Sequence, residues 1–504
     1  MVFNINYLPA QEIQSQSRID EIVVTAEFNN IDAYSISSSI SVIGENDISK
    51  RNANHLEDLL FIAPNVNYSS GASRGKFYQI RGIGERSEFT EPVNYSVGVI
   101  IDGIDFTGIA LGASTFDVKQ IEVLRGPQGT LYGANALAGL INIVSNDPTE
   151  NFYSEISGSI SEFGGKDFGI ILSNSNDNNF GYRLGIKNSK SDGFIKNVYL
   201  NRDDTNDIDE TISRAKFTKN NATAKLTLNI FYADIDNGYD AFSLDNTRIT
   251  YSDEPGYDRQ KTTAASTKFE KTLRNSDIIE ILASFADSEL GYAYDEDWSN
   301  TRICNNTPCD STLFGFDWWY SSFDSFNRDN KNHSIDLRYI SNSENINWVV
   351  GLYNRDQDIN LIRKYTYLQN DFKSSFDTRN SAIYGQFTNK LTNKIRFQVG
   401  LRYEDRRADY LDNNGPVPEG FFCIAIYPRP DSCLFDNKYS KSENFWGGQI
   451  SLQNQISDNT MIYALLSRGY KPGGVNIDGQ ISQQNLNYDS ETMWNYELGV
   501  KTNN

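Results

Sequence analysis

Four cysteines fall into two close pairs, Cys304 with Cys309 and Cys423 with Cys433, each inside a polar or proline-containing stretch. Even, local pairing of this kind predicts two disulfides and an oxidising compartment. Zinc is the competing use for such thiols, but His55 and His333 are the only histidines and neither lies near a cysteine, so no metal site is expected. The 66 Asp and Glu residues offer carboxylates everywhere, yet no motif sets two of them across a cleft. No Ser-His-Asp signature exists either, so no catalytic residue is assigned and a secreted β-rich hydrolase is disfavoured. Residues 116–145, FDVKQIEVLRGPQGTLYGANALAGLINIVS, hold Gly126, Gly129, Gly133 and Gly139 with Pro127 among them. A glycine-rich loop can cradle phosphate, but neither GxxxxGK[ST] nor GxGxxG is present. The stretch reads instead as tight turns between two short apolar segments, 120–124 and 140–144.

The elements that position these residues must fit a chain of 504 residues, too long for one ordinary domain but suited to a small domain plus a large all-β body. Aromatic residues make up 13% of the chain while the mean hydropathy is −0.52, and no apolar run reaches the length of a membrane helix. A helical membrane protein is thereby excluded. A membrane barrel is not, because its strands alternate outward apolar with inward polar residues. The net charge of −20 argues against nucleic acid, whose phosphates would be repelled. It leaves a solvated acidic surface, or loops and a lumen that favour cationic or metal-bearing solutes.

Along the chain, residues 1–19 are polar, and the apolar part of MVFNINYLPAQ is too short for a secretory signal, although LPAQ can be the tail of one. Residues 20–26, DEIVVTA, form an extended β-branched run able to add to another sheet edge, or to serve as a first strand. Residues 35–43 alternate as a strand. Residues 48–62 carry Leu56, Leu59, Leu60 and Ile62 as an amphipathic helix would, stopped by Pro64, with His55 in a structural place. Two loop-like segments, GASRGKFY at 71–78 and ERSEFTEPVNY at 85–95, bracket QIRGIG at 79–84. Beyond about residue 150 long alternating strands take over. Ala224, Leu226, Leu228, Ile230 and Tyr232 oppose Lys225, Thr227 and Asn229; Ile395, Phe397, Val399, Leu401 and Tyr403 oppose Arg396, Gln398, Arg402 and Glu404. Polar turns at 391–394 and 456–460 contrast with long connections at 234–260, 295–330 and 405–443. That asymmetry belongs to outer-membrane barrels.

IEVLRGPQGTLYG followed by a G-x-INIV strand, with QIRGIG and then VGVIIDGI at 97–104 ahead of it, resembles the plug domain of TonB-dependent outer-membrane receptors. SRGYKPGGVN at 467–476 and ETMWNYELGVK at 491–501 resemble barrel motifs of the same family. The resemblance implies a mainly β fold, a small α/β plug inside a large antiparallel transmembrane β-barrel. It divides the chain into an N-terminal extension with a TonB-box-like segment (1–29), a plug (30–148) and a partial barrel (149–504). It further implies that Asp20, Glu21, Ile22, Val23, Val24, Thr25 and Ala26 are captured by TonB in the periplasm, and that Arg74, Phe77, Tyr78, Arg86 and Phe89 touch ligand at the plug apex. Arg81 and Arg125 would pair with barrel Glu497 and Glu404, as a latch that either gates or only stabilises. Ala134 departs from the family, where many relatives carry a basic residue. The implied activity is energy-coupled uptake of a scarce solute, a ferric siderophore first, with cobalamin, oligosaccharide or aromatic compounds as alternatives and a passive porin as a rival. Haem is disfavoured because the barrel FRAP and NPNL motifs are absent and histidine is scarce. Implied partners are TonB, outer-membrane lipid and an extracellular small molecule, without a cofactor, in the cell outer membrane.

Geometry adds one expectation. With strand and connection together taking about 20 to 28 residues, the chain after 150 supplies about 13 to 17 strands. At ~4.7 Å spacing and ~40° tilt, fourteen strands close at a radius of about 14 Å and twenty-two at about 21 Å. A plug of about 130 residues has an outer radius of about 18 Å, which only the larger barrel encloses. The barrel is therefore expected to be incomplete at the C-terminus by roughly 150 to 250 residues, with an open edge near Tyr496.

Overall fold

A computed structural model describes residues 2–4, 23–25, 31–70, 73–87, 93–244, 246–301, 321–343, 345–366, 368, 370–413, 438–475 and 487–502. The glycine-framed stretch supplies the second and third strands of a five-stranded sheet whose order is Ser39–Gly44, Val118–Arg125, Gly139–Ser145, Val97–Ile101, Ile104–Asp105. Val118–Arg125 runs antiparallel to Gly139–Ser145, which in turn runs parallel to Val97–Ile101. Both faces of these strands are covered, so they read as near-continuous apolar runs, with Ile121, Val123, Leu124, Ile141 and Ile143 all buried. Gly139 sits at φ +152, where an added Cβ would strike the Leu124 carbonyl, so the strand can begin there only with glycine.

The helix expected over 48–62 is broken into the α-helix Glu45–Lys50 and the 3-10 turns Leu56–Asp58 and Leu60–Ile62. Asn52 takes φ 48 after the first piece, and His55 caps the second. Its Nδ1 accepts from the Glu57 amide at 3.3 Å while the Asp58 carboxylate accepts from its own amide at 3.0 Å. Local capping has beaten helical continuity, yet Leu56, Leu59 and Leu60 still point inward. The strand expected at 35–43 starts only at Ser39, and QIRGIG turns at Arg81 and Gly82, both at positive φ.

Fourteen strands in chain order, from Tyr153–Ile160 to Glu491–Thr502, form one antiparallel sheet, with Val2–Asn4 added beside the first to make fifteen. Strand length grows from 8 residues at Tyr153–Ile160 to 20 at Phe323–Asn342, far more than the ~10 a tilted crossing needs. Strands Ala224–Tyr239, Gly256–Thr272, Phe323–Asn342, Ile395–Asp412 and Lys438–Ser457 consequently take up residues of 234–260, 295–330 and 405–443, which sequence assigns to long connections. Cross-strand ion pairs between directly opposed residues, Arg259 with Asp236 and Arg379 with Asp356, accompany these extensions. Alternation places Leu226, Ile230, Leu352, Leu401 and Tyr403 on the exposed outer face and Arg402, Glu404 and Arg406 inside.

The small sheet lies within the curve of the large one. Phe106, Ile109, Ala110 and Leu111 share one core with Phe231, Ala233, Ile235, Ala264 and Ala286 of the barrel wall, and the Phe106 and Phe231 rings meet edge-on at 5.1 Å. Phe116 packs beside Gly185 at one side of the wall and Pro127 beside Gly469 at the other.

Candidate functional site

Short turns at 176–179, 221–223, 273–277, 343–345, 391–394 and 458–459 mark one end of the barrel, and the longest connections leave from the other. At the short-turn end, Val23–Val24 pairs with Ile31–Asp32, and Val24 is fully buried against Ile36, Leu124 and Leu140. The Thr25 amide and hydroxyl both donate to Glu122 Oε1, at 2.8 and 2.9 Å. Asn142 Nδ2 donates to Thr25 Oγ1 at 3.1 Å and to Glu122 Oε2 at 3.0 Å, and Gln120 Nε2 donates to the Val23 carbonyl at 2.7 Å. The described part of the TonB-box-like segment is thus docked on the plug, where sequence suggested unpaired backbone. The buried Glu122 carboxylate already accepts from Gln120 Nε2 at 2.6 Å and from Asn142, and Thr25 adds two more donors to it. Asp20, Glu21, Ile22 and Ala26 lie outside the described residues.

Of the expected latch, one pair forms. Arg81 reaches Glu497 at 2.9 Å and Asn495 at 3.2 Å, and the Tyr463 hydroxyl donates to the same Glu497 at 2.6 Å. Among the described residues Arg125 meets no carboxylate. It donates to the Pro64 carbonyl at 2.8 Å and to the Ser39 and Ser41 hydroxyls on the adjacent plug strand. Burial first, and then the Arg81 charge, hold its pKa below the usual arginine value. Glu404 pairs instead with Arg402, two residues away on the same inward face, at 2.7 Å, and also accepts from Asn380 and Tyr470. Both members are only 1% exposed, and Arg402 also donates to the Leu131 carbonyl of the plug. Gly133, at φ +64, lets the LYGANA turn pass over them, since a Cβ there would run into Glu404.

Other bonds between plug and wall escaped the sequence reading because they invert its polarity, with acids on the plug and bases on the barrel. Asp105 pairs with Arg355 at 3.0 Å, Asp117 with Arg183 at 2.7 Å, and Glu85 with Lys471 at 2.8 Å. Asp102 faces Arg214 at 3.6 Å and Lys216 at 3.8 Å. The available signal was the DGID turn at 102–105, which sets two acids at the rim of the plug sheet.

At the long-loop end, Arg74 makes a two-pronged contact with barrel Glu210, at 2.8 and 3.1 Å, and a third bond to Glu57 at 3.3 Å. Burial alone would lower its pKa, but the Glu210 and Glu57 charges outweigh that and raise it. Ser73 donates through both its amide and its hydroxyl to Asp258 at 2.8 Å. Phe77 and Tyr78 are buried, Tyr78 donating to the Gly75 carbonyl at 2.8 Å. Arg74 therefore clamps the apex to the wall through Glu210, while Phe77 and Tyr78 fill the core rather than face outward, because strand Phe77–Ile80 is covered on both sides. Arg86 is exposed, as a ligand-contacting residue needs; Phe89 lies outside the described residues, as do all four cysteines. Above the plug the inner wall carries rings and cations together. Tyr239 meets Tyr292 at 5.3 Å, Tyr292 meets Phe326 at 6.3 Å, and Phe376 meets Tyr410 at 6.5 Å. Lys76 lies over Tyr292 at 5.1 Å, Arg363 over Phe326 at 5.0 Å and Arg406 over Phe376 at 5.8 Å.

Comparison with known proteins agrees with this arrangement. The TonB-dependent receptor plug domain matches residues 32–140, and the TonB-dependent receptor-like beta-barrel matches residues 172–504. The pesticin receptor of Yersinia pestis is 22% identical over 508 aligned positions, covering 98% of this chain and 70% of that protein. The vitamin B12 transporter BtuB of Vibrio vulnificus is 33% identical over 146 residues, 28% of this chain and 22% of that protein. Among solved structures, the ferric yersiniabactin uptake receptor FyuA from Yersinia pestis superposes with a TM-score of 0.76 at 19% identity, covering 93% of this chain and 70% of that one. The siderophore receptor PiuA from Acinetobacter baumannii gives 0.72 at 16%, with the same coverage.

Proposed function

The chain belongs to the TonB-dependent receptors, a family of outer-membrane transporters rather than enzymes, and from that premise we propose that it imports a ferric siderophore by energy-coupled uptake across the outer membrane. The observation that carries this reading is the arrangement along one axis: a docked segment at the short-turn end, a plug lodged in the barrel, and a ring of aromatic and cationic side chains at the far end. Residues 20–26 are the segment TonB takes, by strand addition. Several backbone bonds of ~0.5 to 1.5 kcal/mol each form transiently and share a load, which suits a mechanical coupling. Before TonB can hold the whole run, Val23–Thr25 must leave Glu122.

Aromatic faces beside guanidinium and ammonium groups, with Arg363 held by Asp324 and Lys76 near Asp258, suit a ring-bearing iron chelate. Relatives named for ferric yersiniabactin and siderophores point the same way. Arg86 and Phe89, in the loop after QIRGIG, are the proposed ligand contacts from the plug. Cobalamin is the second reading, favoured by the 33% identity to a vitamin B12 transporter, although that similarity covers 28% of the chain. The cysteine pairs Cys304–Cys309 and Cys423–Cys433 are proposed to close as disulfides in loops that face an oxidising exterior.

The test is uptake into energised cells of radiolabelled ferric catecholate, phenolate, hydroxamate and citrate complexes and of cyanocobalamin, with and without residues 20–26. Import of an aryl chelate that disappears with the deletion is expected. Import of cobalamin alone would move the assignment to the second reading, and import indifferent to the deletion would end the energy-coupled reading.

A further inference from the structure

Two cavities separate the plug from the barrel wall at the short-turn end, and they differ in depth and chemistry. The first holds about 570 Å³ and is lined by six basic and seven acidic side chains. It starts beside the short turns at Lys225 and Glu270 and climbs to Arg355 and Glu404, near the middle of their strands. The second, about 540 Å³, has three charged residues in its lining, Asp32, Lys390 and Arg396, and much of its wall lies close to the short turns, at Asn342, Asn347 and Thr388. Val23 and Thr25 line the first cavity and not the second.

We propose that cargo crosses on the first side of the plug, along the cavity between strands Val97–Ile101 and Ile104–Asp105 and the barrel wall, and that the docked Val23–Thr25 segment closes it at the short-turn end. This rests on the transport reading above and adds which side conducts. A void of this size is in the ~300 to 1,000 Å³ range of small-ligand sites. Its charges already share partners: Lys268 contacts Glu270 at 3.2 Å and Glu280 at 3.0 Å, and Arg338 contacts Glu280 at 2.9 Å and Asp336 at 2.7 Å. Donors and acceptors with alternative partners can exchange one for a passing polar solute without leaving a buried charge bare. The plug edge here, Ile104–Asp105, is held to its sheet through two residue pairs, Ile100 with Asp105 and Ile101 with Ile104. The segment that TonB pulls is thus also the first piece of wall to leave.

The test reads thiol access, so it needs no identified ligand. Ser334→Cys lies in the first cavity and Ser451→Cys in the second, both near-isosteric, and Val24→Cys, at a fully buried position, lies on the closing segment. Receptor in whole cells is exposed to a membrane-impermeant methanethiosulfonate, with the proton gradient intact or collapsed, and the unsubstituted receptor corrects for its own cysteines. Heat-modifiable migration on gels confirms folding. Energisation is expected to raise labelling at positions 24 and 334 by about fivefold or more and to leave position 451 unchanged. A response at 24 and 451 without 334, or at 24 alone, would overturn the conduit while leaving energy-coupled transport intact. Silence at all three positions would overturn both.

Discussion

Asp105 and Arg81 both tie the plug to the barrel, yet their surroundings assign them different weights. Arg81 is 34% exposed at its side chain, so its bond to Glu497 is screened and contributes about 0.5 to 1 kcal/mol. Asp105 and Arg355 are both nearly buried, and removing one charge strands the other at a cost of about 3 to 5 kcal/mol. Asp105→Asn is therefore expected to quicken amide exchange across residues 97–145 far more than Arg81→Ala; the reverse order would refute this ranking. His55 gives a pH signature. Burial lowers its pKa below 6.5, with Nε2 placed to donate to the Ala110 carbonyl at 3.3 Å. Below pH 6.5 the unfolded imidazole takes a proton that the folded one refuses, so stability falls as pH drops from 6.5 toward the folded pKa, by up to ~1.4 kcal/mol per unit, and is unaffected above 6.5. His55→Asn should flatten that slope in exchange measured between pH 5 and 8; an unchanged slope would place the titration elsewhere. The sequence made Arg81 and Glu497 legible as partners because both sit in recognisable motifs. Arg125 and Glu404 were misread because a motif names a residue type but not which neighbour on its own sheet reaches it first.

Among elements, the docked segment is the least secure and the most consequential. Its four bonds to Gln120, Glu122 and Asn142, two of them to a carboxylate at ~1.5 to 3 kcal/mol each and two between neutral groups at ~0.5 to 1.5, amount to about 4 to 9 kcal/mol, within reach of a pulling partner. Glu122→Gln turns one acceptor into a donor that confronts the donors of Thr25 and Asn142. Exchange at the Thr25 amide should rise by about tenfold or more, since losing a charged acceptor is worth ~1.5 to 3 kcal/mol. No change in that amide would show that Val24 packing alone holds the segment. Alternation exposed the barrel strands in the sequence, since Leu401 and Tyr403 face out while Arg402 and Glu404 face in. The docking did not show there because the slot is made by a residue 97 positions away. The broken helix was hidden for the opposite reason, a strictly local one: Asn52 and His55 divert the backbone while leaving the apolar period intact.

At the scale of the molecule, plug and wall share one core, and this limits how a path can open. Ile101, Ile104, Phe106, Ile109 and Leu111 are essentially fully buried, and exposing five such side chains costs roughly 8 to 15 kcal/mol before any ion pair is broken. Motifs in order made the nesting of two domains legible in the sequence, whereas this fused core was not, because no pattern in either part names its contacts in the other. A plug so bound does not depart as a body while a thinner piece can yield, and the closing segment at the short-turn end is that piece. Gly112 offers a direct test, since its Cβ would stand 3.5 Å from that of Ala233, within the ~3.5 to 4.5 Å a disulfide needs. Gly112→Cys with Ala233→Cys should oxidise to a staple between plug and barrel, away from the charged cavity. Stapled receptor is expected to keep more than about half of its uptake of whichever chelate the panel identifies, because its moving part is not the part that is tied. Uptake that collapses on oxidation and returns with a reductant would mean that the whole plug must shift, and the shared core would then have to separate during every cycle.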